Sequence, residues 1–253
     1  MHLGIFVKGM PLFRYLNGMP TFLKDYRKIR RQAGQSKNIF PFGKSYPCLM
    51  DRDQESGALA EHYFYQDLYV ARKVFQNNPV RHVDIGSRID GFVSHVASFR
   101  EIEVLDVRDL HLAIPAIRFT RADLTSRNFP LGDYCDSLSC LHALEHFGLG
   151  RYGDPVDFDG HLTGWENMNK ILKKGGKFYF SVPIGEQRIE FNAHRVFSLA
   201  YLLGLMENRY AIDSFAYIND AQEFIADAVL DEASIRNNFG CRYGCGIFEL
   251  TKR

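Results

Sequence analysis

His82-Val83-Asp84-Ile85-Gly86-Ser87-Arg88-Ile89-Asp90-Gly91 is a short apolar strand that stops on a glycine and runs into helical spacing at Val93, Val96 and Ala97. Gly86 lets the chain turn sharply and come close to a ligand. The amides of the turn and the start of the helix favour an electronegative group there. Gly91 permits close packing of the helix start. The middle glycine of a dinucleotide fingerprint is replaced by Arg88, so this stretch alone is a weak signal.

Reading outward, strands and helices alternate. Glu103 to Asp106 reads as a second strand, Ile117 to Ala122 as a third and Cys135 to Leu141 as a fourth. Leu162, Trp165, Met168 and Ile171/Leu172 mark an amphipathic helix. Gly175-Gly176 is expected to stop that helix and lead into a fifth strand, Lys177 to Val182, closed by Pro183. Val196 to Leu205 reads as a helix, and Tyr210 to Tyr217 and Gly246 to Thr251 as two late strands. Such alternation predicts an α/β fold with a Rossmann-like, seven-stranded, doubly wound sheet. Ligands of such sheets bind at the carboxyl ends of the strands. The chain divides near Asn77-Asn78-Pro79: residues 1–78 read as an N-terminal helical extension with a covering helix, and 79–253 as the cofactor-binding domain. Glu61 to Gln76 is that covering helix, with Leu68, Ala71, Val74 and Phe75 as its expected buried stripe.

The strand ends carry acids in order. Asp106 closes the second strand about 20 residues beyond Gly86, where a carboxylate can take the hydroxyls of a ribose. Asp123 follows the third strand in Ala122-Asp123-Leu124. With Asp84 two residues before Gly86, and with Leu172-Lys173-Lys174-Gly175-Gly176-Lys177 leading into strand five, this region resembles the class I S-adenosylmethionine-dependent methyltransferases. The resemblance runs from about Arg81 to Lys252. It implies that Asp84, Gly86, Ser87 and Gly91 meet the methionine end of the cofactor, Asp106 its ribose, and Asp123 with Leu124 its adenine. The chain is also similar to a domain-of-unknown-function family of bacterial polysaccharide gene clusters and nematodes. That similarity rests on His62 to Asp67, His82 to Gly91, Ser139 to Gly153 and Ile189 to Arg195. A nicotinamide enzyme shares the ribose carboxylate, but it normally carries G-x-G-x-x-G and no acid before the first glycine.

After strand four comes Leu141-His142-Ala143-Leu144-Glu145-His146. If a helix begins there, His142, Glu145 and His146 share one face. H-x-x-E-H is also the inverted zinc-protease spacing, discounted here because it follows a strand in a methyltransferase-like frame. Some O-methyltransferases carry E-x-x-E-H at this place, with a further His after strand five, and bind a divalent metal. That likeness implies His142, Glu145, His146 and His194 as metal ligands, with an imidazole-rich set favouring Zn²⁺, Mn²⁺ or Fe²⁺ over Mg²⁺. Without a metal, His146 or His194, helped by Glu145, would act as the catalytic base that takes a hydroxyl proton. The loop Gly148 to Gly160 offers Arg151, Tyr152 and Asp154 as sugar or phosphate contacts. Arg188, Asn192, His194 and Arg195 form a second polar cluster.

The 253 residues carry 31 Lys+Arg against 30 Asp+Glu, a formal charge of +1 that gives no general attraction to nucleic acid. Cys48, Cys135, Cys140, Cys241 and Cys245 are few, odd in number and scattered, as in a reducing compartment. Cys241 to Cys245 reads as a turn before the last strand, without a second pair to complete a zinc site. No apolar run reaches the length of a membrane span, and Lys8 cuts the opening apolar stretch too early for a signal peptide. A cytoplasmic protein is therefore expected. Thr21 to Gln32 holds Lys24, Arg27, Lys28, Arg30 and Arg31 beside Phe22, Leu23, Tyr26 and Ile29. It reads as a helix docked on the domain or on a second subunit, or else as a peripheral contact with an anionic inner membrane face.

The expected function is methylation of a hydroxyl on a small-molecule, sugar or glycan substrate. The rivals are a non-catalytic or regulatory cofactor-binding protein and an NAD-dependent sugar-modifying enzyme. An open, His-lined pocket points to an enzyme. A pocket filled by Phe147 or Trp165 points to the non-catalytic rival.

Overall fold

The computed structural model describes residues 6–35, 41–45, 47, 49, 61–111 and 113–253, with side chains in the first helix from residue 18 onward. Cys48 and residues 1–5 lie outside the described residues. The chain forms two compact units, Met1–Leu59 and Ala60–Arg253.

The first unit is built on α1 (Phe6–Ala33). Within it, Phe22 stacks on Tyr26, Tyr26 meets Phe42 edge-on, and the Arg30 guanidinium lies 4.8 Å above the Phe42 ring. Gly18 is seated so tightly against Leu49 that a side chain there would meet the Leu49 carbonyl. Lys24, Arg27, Lys28, Arg30 and Arg31 are exposed. Among the described residues, no helix is long and apolar enough to cross a membrane.

The second unit opens with α2 (Glu61–Asn77). Then follow β1 (His82–Ile85), a π turn (Ile89–Val93), α3 (Ser94–Ala97), β2 (Ile102–Asp106), β3 (Ile117–Arg121) and β4 (Cys135–Leu141). A single 3₁₀ turn, Leu144–His146, precedes α4 (Gly160–Ile171) and β5 (Leu172–Ile184). The hairpin β6 (Arg188–Glu190) and β7 (His194–Val196) leads to α5 (Leu199–Met206). The chain closes with β8 (Tyr210–Ile218), β9 (Phe224–Ile225), α6 (Glu232–Asn237) and β10 (Gly244–Lys252).

The main sheet has eight strands in the order β3-β2-β1-β4-β5-β10-β8-β9. The first five run parallel, and β10 lies antiparallel to both β5 and β8. The seven predicted strands are all present. The eighth is the two-residue β9, which turns back on β8 too briefly to show a sequence period. The order reverses beside β1, between β1 and β4, which opens a crevice at the carboxyl ends of these strands.

Two buried apolar clusters form the core. One gathers Trp165, Met168, Phe178, Phe180, Leu202 and Phe248, and the other Val70, Val74, Phe92, Val96, Val104 and Ile247. The covering helix turns a different side inward than its apolar spacing predicts. Ala71 and Val74 are buried, but Leu68 and Phe75 are 51% and 63% exposed. The buried line is instead His62, Gln66, Val70 and Val74, at the helical i, i+4 repeat. Its upper half is polar because it faces the site described below. The glycine pair after α4 is also corrected: the helix ends at Ile171, and the extended chain already begins at Leu172. Gly175 keeps a left-handed φ of 75° within it.

Candidate functional site

Four strand ends surround a cavity of about 370 Å³, within the ordinary range for a small-molecule pocket. Gly86 after β1, Asp106 at the end of β2, Asp123 and Leu124 after β3, and His142 and His146 after β4 all line it. Gly86 adopts φ 71°, and a side chain there would press on Ala143. Only a residue without Cβ brings the β1 turn this close to the β4 turn.

The other predicted cofactor residues sit behind the wall. Asp84 is fully buried and accepts from the Ser87 amide (3.0 Å), the Ser87 hydroxyl (2.8 Å) and the Ser139 hydroxyl (2.5 Å). It therefore shapes the glycine turn from beneath. Burial pushes its carboxyl up to about 6, with the three hydrogen bonds only partly opposing that shift. Gly91 is packed against Asp67 of α2, where a side chain would strike the carboxylate.

Asp106 is already engaged. Oδ1 accepts from the Arg108 amide and Nε at 2.9 Å, and Oδ2 from the same guanidinium at 2.5 Å. Arg108 in turn lies 4.6 Å above the Tyr152 ring. A carboxylate offers about four acceptor positions, so one remains open while Arg108 stays in place. Asp123 accepts from the Thr125 amide and hydroxyl through one oxygen, at 2.8 and 2.7 Å. Asn167 of α4, buried and absent from the predicted site, donates to the Leu124 and Ser126 carbonyls at 2.8 Å each and pins this segment. No local spacing in the sequence points to it.

The histidine turn differs from the helix expected there. His142 holds φ 51°, a left-handed conformation uncommon for a residue with a side chain, and only Leu144–His146 makes a turn. The groups still converge. His142 Nδ1 lies 2.9 Å from Glu145 Oε1, and His146 Nε2 lies 3.7 Å from the same oxygen. His146 Nδ1 is 2.6 Å from the Ala193 carbonyl. A carbonyl only accepts, so Nδ1 carries the proton and Nε2 is left as the basic nitrogen. Burial holds the His146 ring below its ordinary pKa, partly countered by Glu145. For His142, burial pulls downward but the Cys245 sulfur and Glu145 outweigh it, and its pKa lies well above the ordinary value.

His194 does not join this group as the predicted metal set requires. It stands on the β6–β7 hairpin, with Nε2 3.2 Å from Glu190 Oε2. The hairpin packs on the turn after β4 through the Ala193 carbonyl, but the His194 ring meets Glu190 and Tyr243 instead, a placement that sequence spacing does not reveal. Among the described residues, the side chains whose ligand atoms all lie within 4.8 Å of one another are His62, His142 and Cys245.

The loop after His146 borders the cavity through Phe147, Arg151, Tyr152 and Asp154. Asp154 accepts from the Gly148 amide at 2.7 Å and holds the loop's shape. Arg195, buried, donates to the Phe147 and Phe158 carbonyls at 2.6 and 3.0 Å and ties the same loop down. Arg188 pairs with Glu190 outside the cavity. Phe147 forms part of the wall without filling the space, and Trp165 is buried in the core with its indole donating to the Leu205 carbonyl.

The profile of the family described as "Caenorhabditis protein of unknown function, DUF268" matches residues 109–238. No curated protein matches the chain in sequence. Among solved structures, the [4+2]-cyclase SpnF superposes with a TM-score of 0.52 at 13% identity, covering 74% of this chain and 80% of its own. The 1,6-didemethyltoxoflavin-N1-methyltransferase of Burkholderia thailandensis, with bound 1,6-didemethyltoxoflavin and S-adenosylhomocysteine, gives 0.50 at 11%, covering 74% and 78%. At these identities the likeness is one of fold, and the fold is the class I methyltransferase sheet.

Proposed function

Because the chain belongs to the DUF268 family, whose description assigns no reaction, we propose a function from the site itself: S-adenosylmethionine-dependent methyl transfer to a hydroxyl of a sugar or other small molecule. One observation carries this reading. A single cavity joins two strand-end carboxylates, Asp106 and Asp123, to a histidine with a free basic nitrogen, His146.

The residues suit this cofactor in three ways. Asp106 keeps an open acceptor position for a ribose hydroxyl, and Asp123 has a second oxygen not used by Thr125. Gly86 brings the turn close without a side chain in the way. The Ser87 amide, which a nicotinamide dinucleotide's diphosphate would need, is spent on Asp84. When bound, S-adenosylmethionine supplies an already activated methyl group.

The protein's own task is alignment and proton removal. His146 Nε2, at the cavity wall, takes the acceptor's hydroxyl proton, and Glu145 steadies the resulting imidazolium. Because burial lowers the His146 pKa, the ring is largely neutral and able to accept a proton near pH 7. The Arg151, Tyr152 and Asp154 edge is the acceptor side. The preference for a sugar rests on the family resemblance and on this polar edge.

Calorimetry with S-adenosylmethionine and with NAD tests the reading. We expect S-adenosylmethionine alone to bind, and Asp106→Ala to weaken it about 10- to 100-fold, as for loss of hydrogen bonds to a charged group. Binding of NAD alone would overturn the assignment. Transfer of labelled methyl to amines but to no hydroxyl acceptor would remove the O-methyl part.

A further inference from the structure

We propose that His62, His142 and Cys245 bind one transition-metal ion of the zinc class, beside the cavity and with one coordination position left open. This goes beyond the methyltransferase reading and does not require it.

The three ligands come from three distant elements: α2, the turn after β4, and the start of β10. Their ligand atoms all lie within 4.8 Å of one another. All three residues are buried. The Nε2 atoms of both His62 and His142 are buried without a hydrogen-bond partner, as is Glu145 Oε2 beside them. Buried polar atoms are nearly always paired, so this group of orphaned atoms needs an explanation. A cation between the imidazoles supplies one.

The surroundings are arranged as metal sites usually are. Glu145 accepts from His142 Nδ1 at 2.9 Å, which fixes the tautomer and leaves Nε2 as the ligand. The left-handed φ of 51° at His142 swings the ring into this position. His62 stacks between His142 and Tyr243, with ring centroids 5.5 and 5.6 Å apart. The Cys245 thiol has long contacts, 3.7 Å to Gln66 Oε1 and 4.0 Å to the Gly246 carbonyl, to give up. On ligation the thiol proton, and the extra proton that His142 holds at its raised pKa, leave to solvent as the bonds to the metal form.

A thiolate with two imidazoles selects zinc-like ions over Mg²⁺ or Ca²⁺, which want oxygen ligands. Zinc bonds are about 2.0–2.3 Å, so the ligand atoms would draw in by at most about 1–1.5 Å. Three protein ligands leave the fourth position for water or a substrate oxygen, the pattern of reactive rather than structural zinc. His142 belongs both to the trio and to the cavity wall, next to Tyr63, which would put a bound ion beside the cavity.

Cobalt(II) chloride titrated into the full chain, first stripped with chelator, tests the site. The expected result is one equivalent bound, with intense visible bands and a near-ultraviolet thiolate-to-cobalt band, both abolished by zinc chloride. Cys245→Ser should lose the thiolate band, His62→Ala should bind at least about tenfold more weakly, and Glu145→Gln about 10- to 100-fold more weakly. His194→Ala should bind as wild type. Absence of the thiolate band in the wild-type chain overturns the proposal whatever the variants do. So does binding that survives unchanged in Cys245→Ser, or that disappears only in His194→Ala. Far-ultraviolet circular dichroism of the metal-free variants separates lost ligands from lost folding.

Discussion

Asp84 shows how one buried residue can shape a ligand loop without touching the ligand. Among the described residues it has no ion-pair partner, and three donors hold it under the glycine turn. Burial nevertheless raises its pKa from 3.8 to about 6. The folded protein therefore keeps a proton here that the unfolded chain releases between about pH 4 and 6, so this group's stabilisation is full below pH 4 and falls as pH rises. A shift of this size corresponds to about 3 kcal/mol across that window. The prediction is a pH-dependent difference in Tm. Wild type minus Asp84→Asn should decline steadily from pH 4 to pH 6 in the ligand-free protein, measured by calorimetric melting. A flat difference would mean that Asp84 is ionised throughout. The same scale explains Asp106. Its strand-end position was legible from spacing, but its capture by Arg108 was not, because the pairing depends on where the β2 turn sends the guanidinium.

At the scale of the element, α2 carries the main lesson. An apolar-spacing reading puts Leu68 and Phe75 inside, yet the buried line runs through His62, Gln66, Val70 and Val74. The upper part of that line is polar because it closes over the β4 turn and β10. A search for an apolar stripe therefore settles on the wrong face. Stability measurements in urea should separate the two faces. Val74→Ala should cost about 2 kcal/mol for its lost methyl groups and the space they leave. Leu68→Ala should change stability by no more than about 0.5 kcal/mol. The histidine turn follows the same logic. A helix was expected from the i, i+3 and i+4 spacing, and a left-handed residue followed by one 3₁₀ turn brings Glu145 to both imidazoles instead.

At the scale of the molecule, the unit Ala60–Arg253 contains both apolar clusters, the described lining of the cavity and the His62–His142–Cys245 trio. Among the described residues, nothing in these clusters, the cavity lining or the trio comes from Met1–Leu59. A chain of residues 60–253 should therefore unfold in one cooperative transition and bind S-adenosylmethionine with the affinity of the full chain. Differential scanning calorimetry and isothermal titration check these two outcomes. A broad, non-cooperative melt would show that the first unit completes the core.

The alternating strands, the crevice at their carboxyl ends, and the order Gly86, Asp106, Asp123, His142, His146 were determined by sequence alone. Each of these features depends on a short apolar run and the residue that ends it, and such local patterns survive without knowledge of what packs where. The rotation of α2, the grip of Arg108 on Asp106, the exclusion of His194 and the meeting of His62, His142 and Cys245 were decided only in three dimensions. Those contacts join positions far apart in the chain, through the register of β10 on β5 and the seating of α2. No periodicity within a single segment encodes a distance across the sheet.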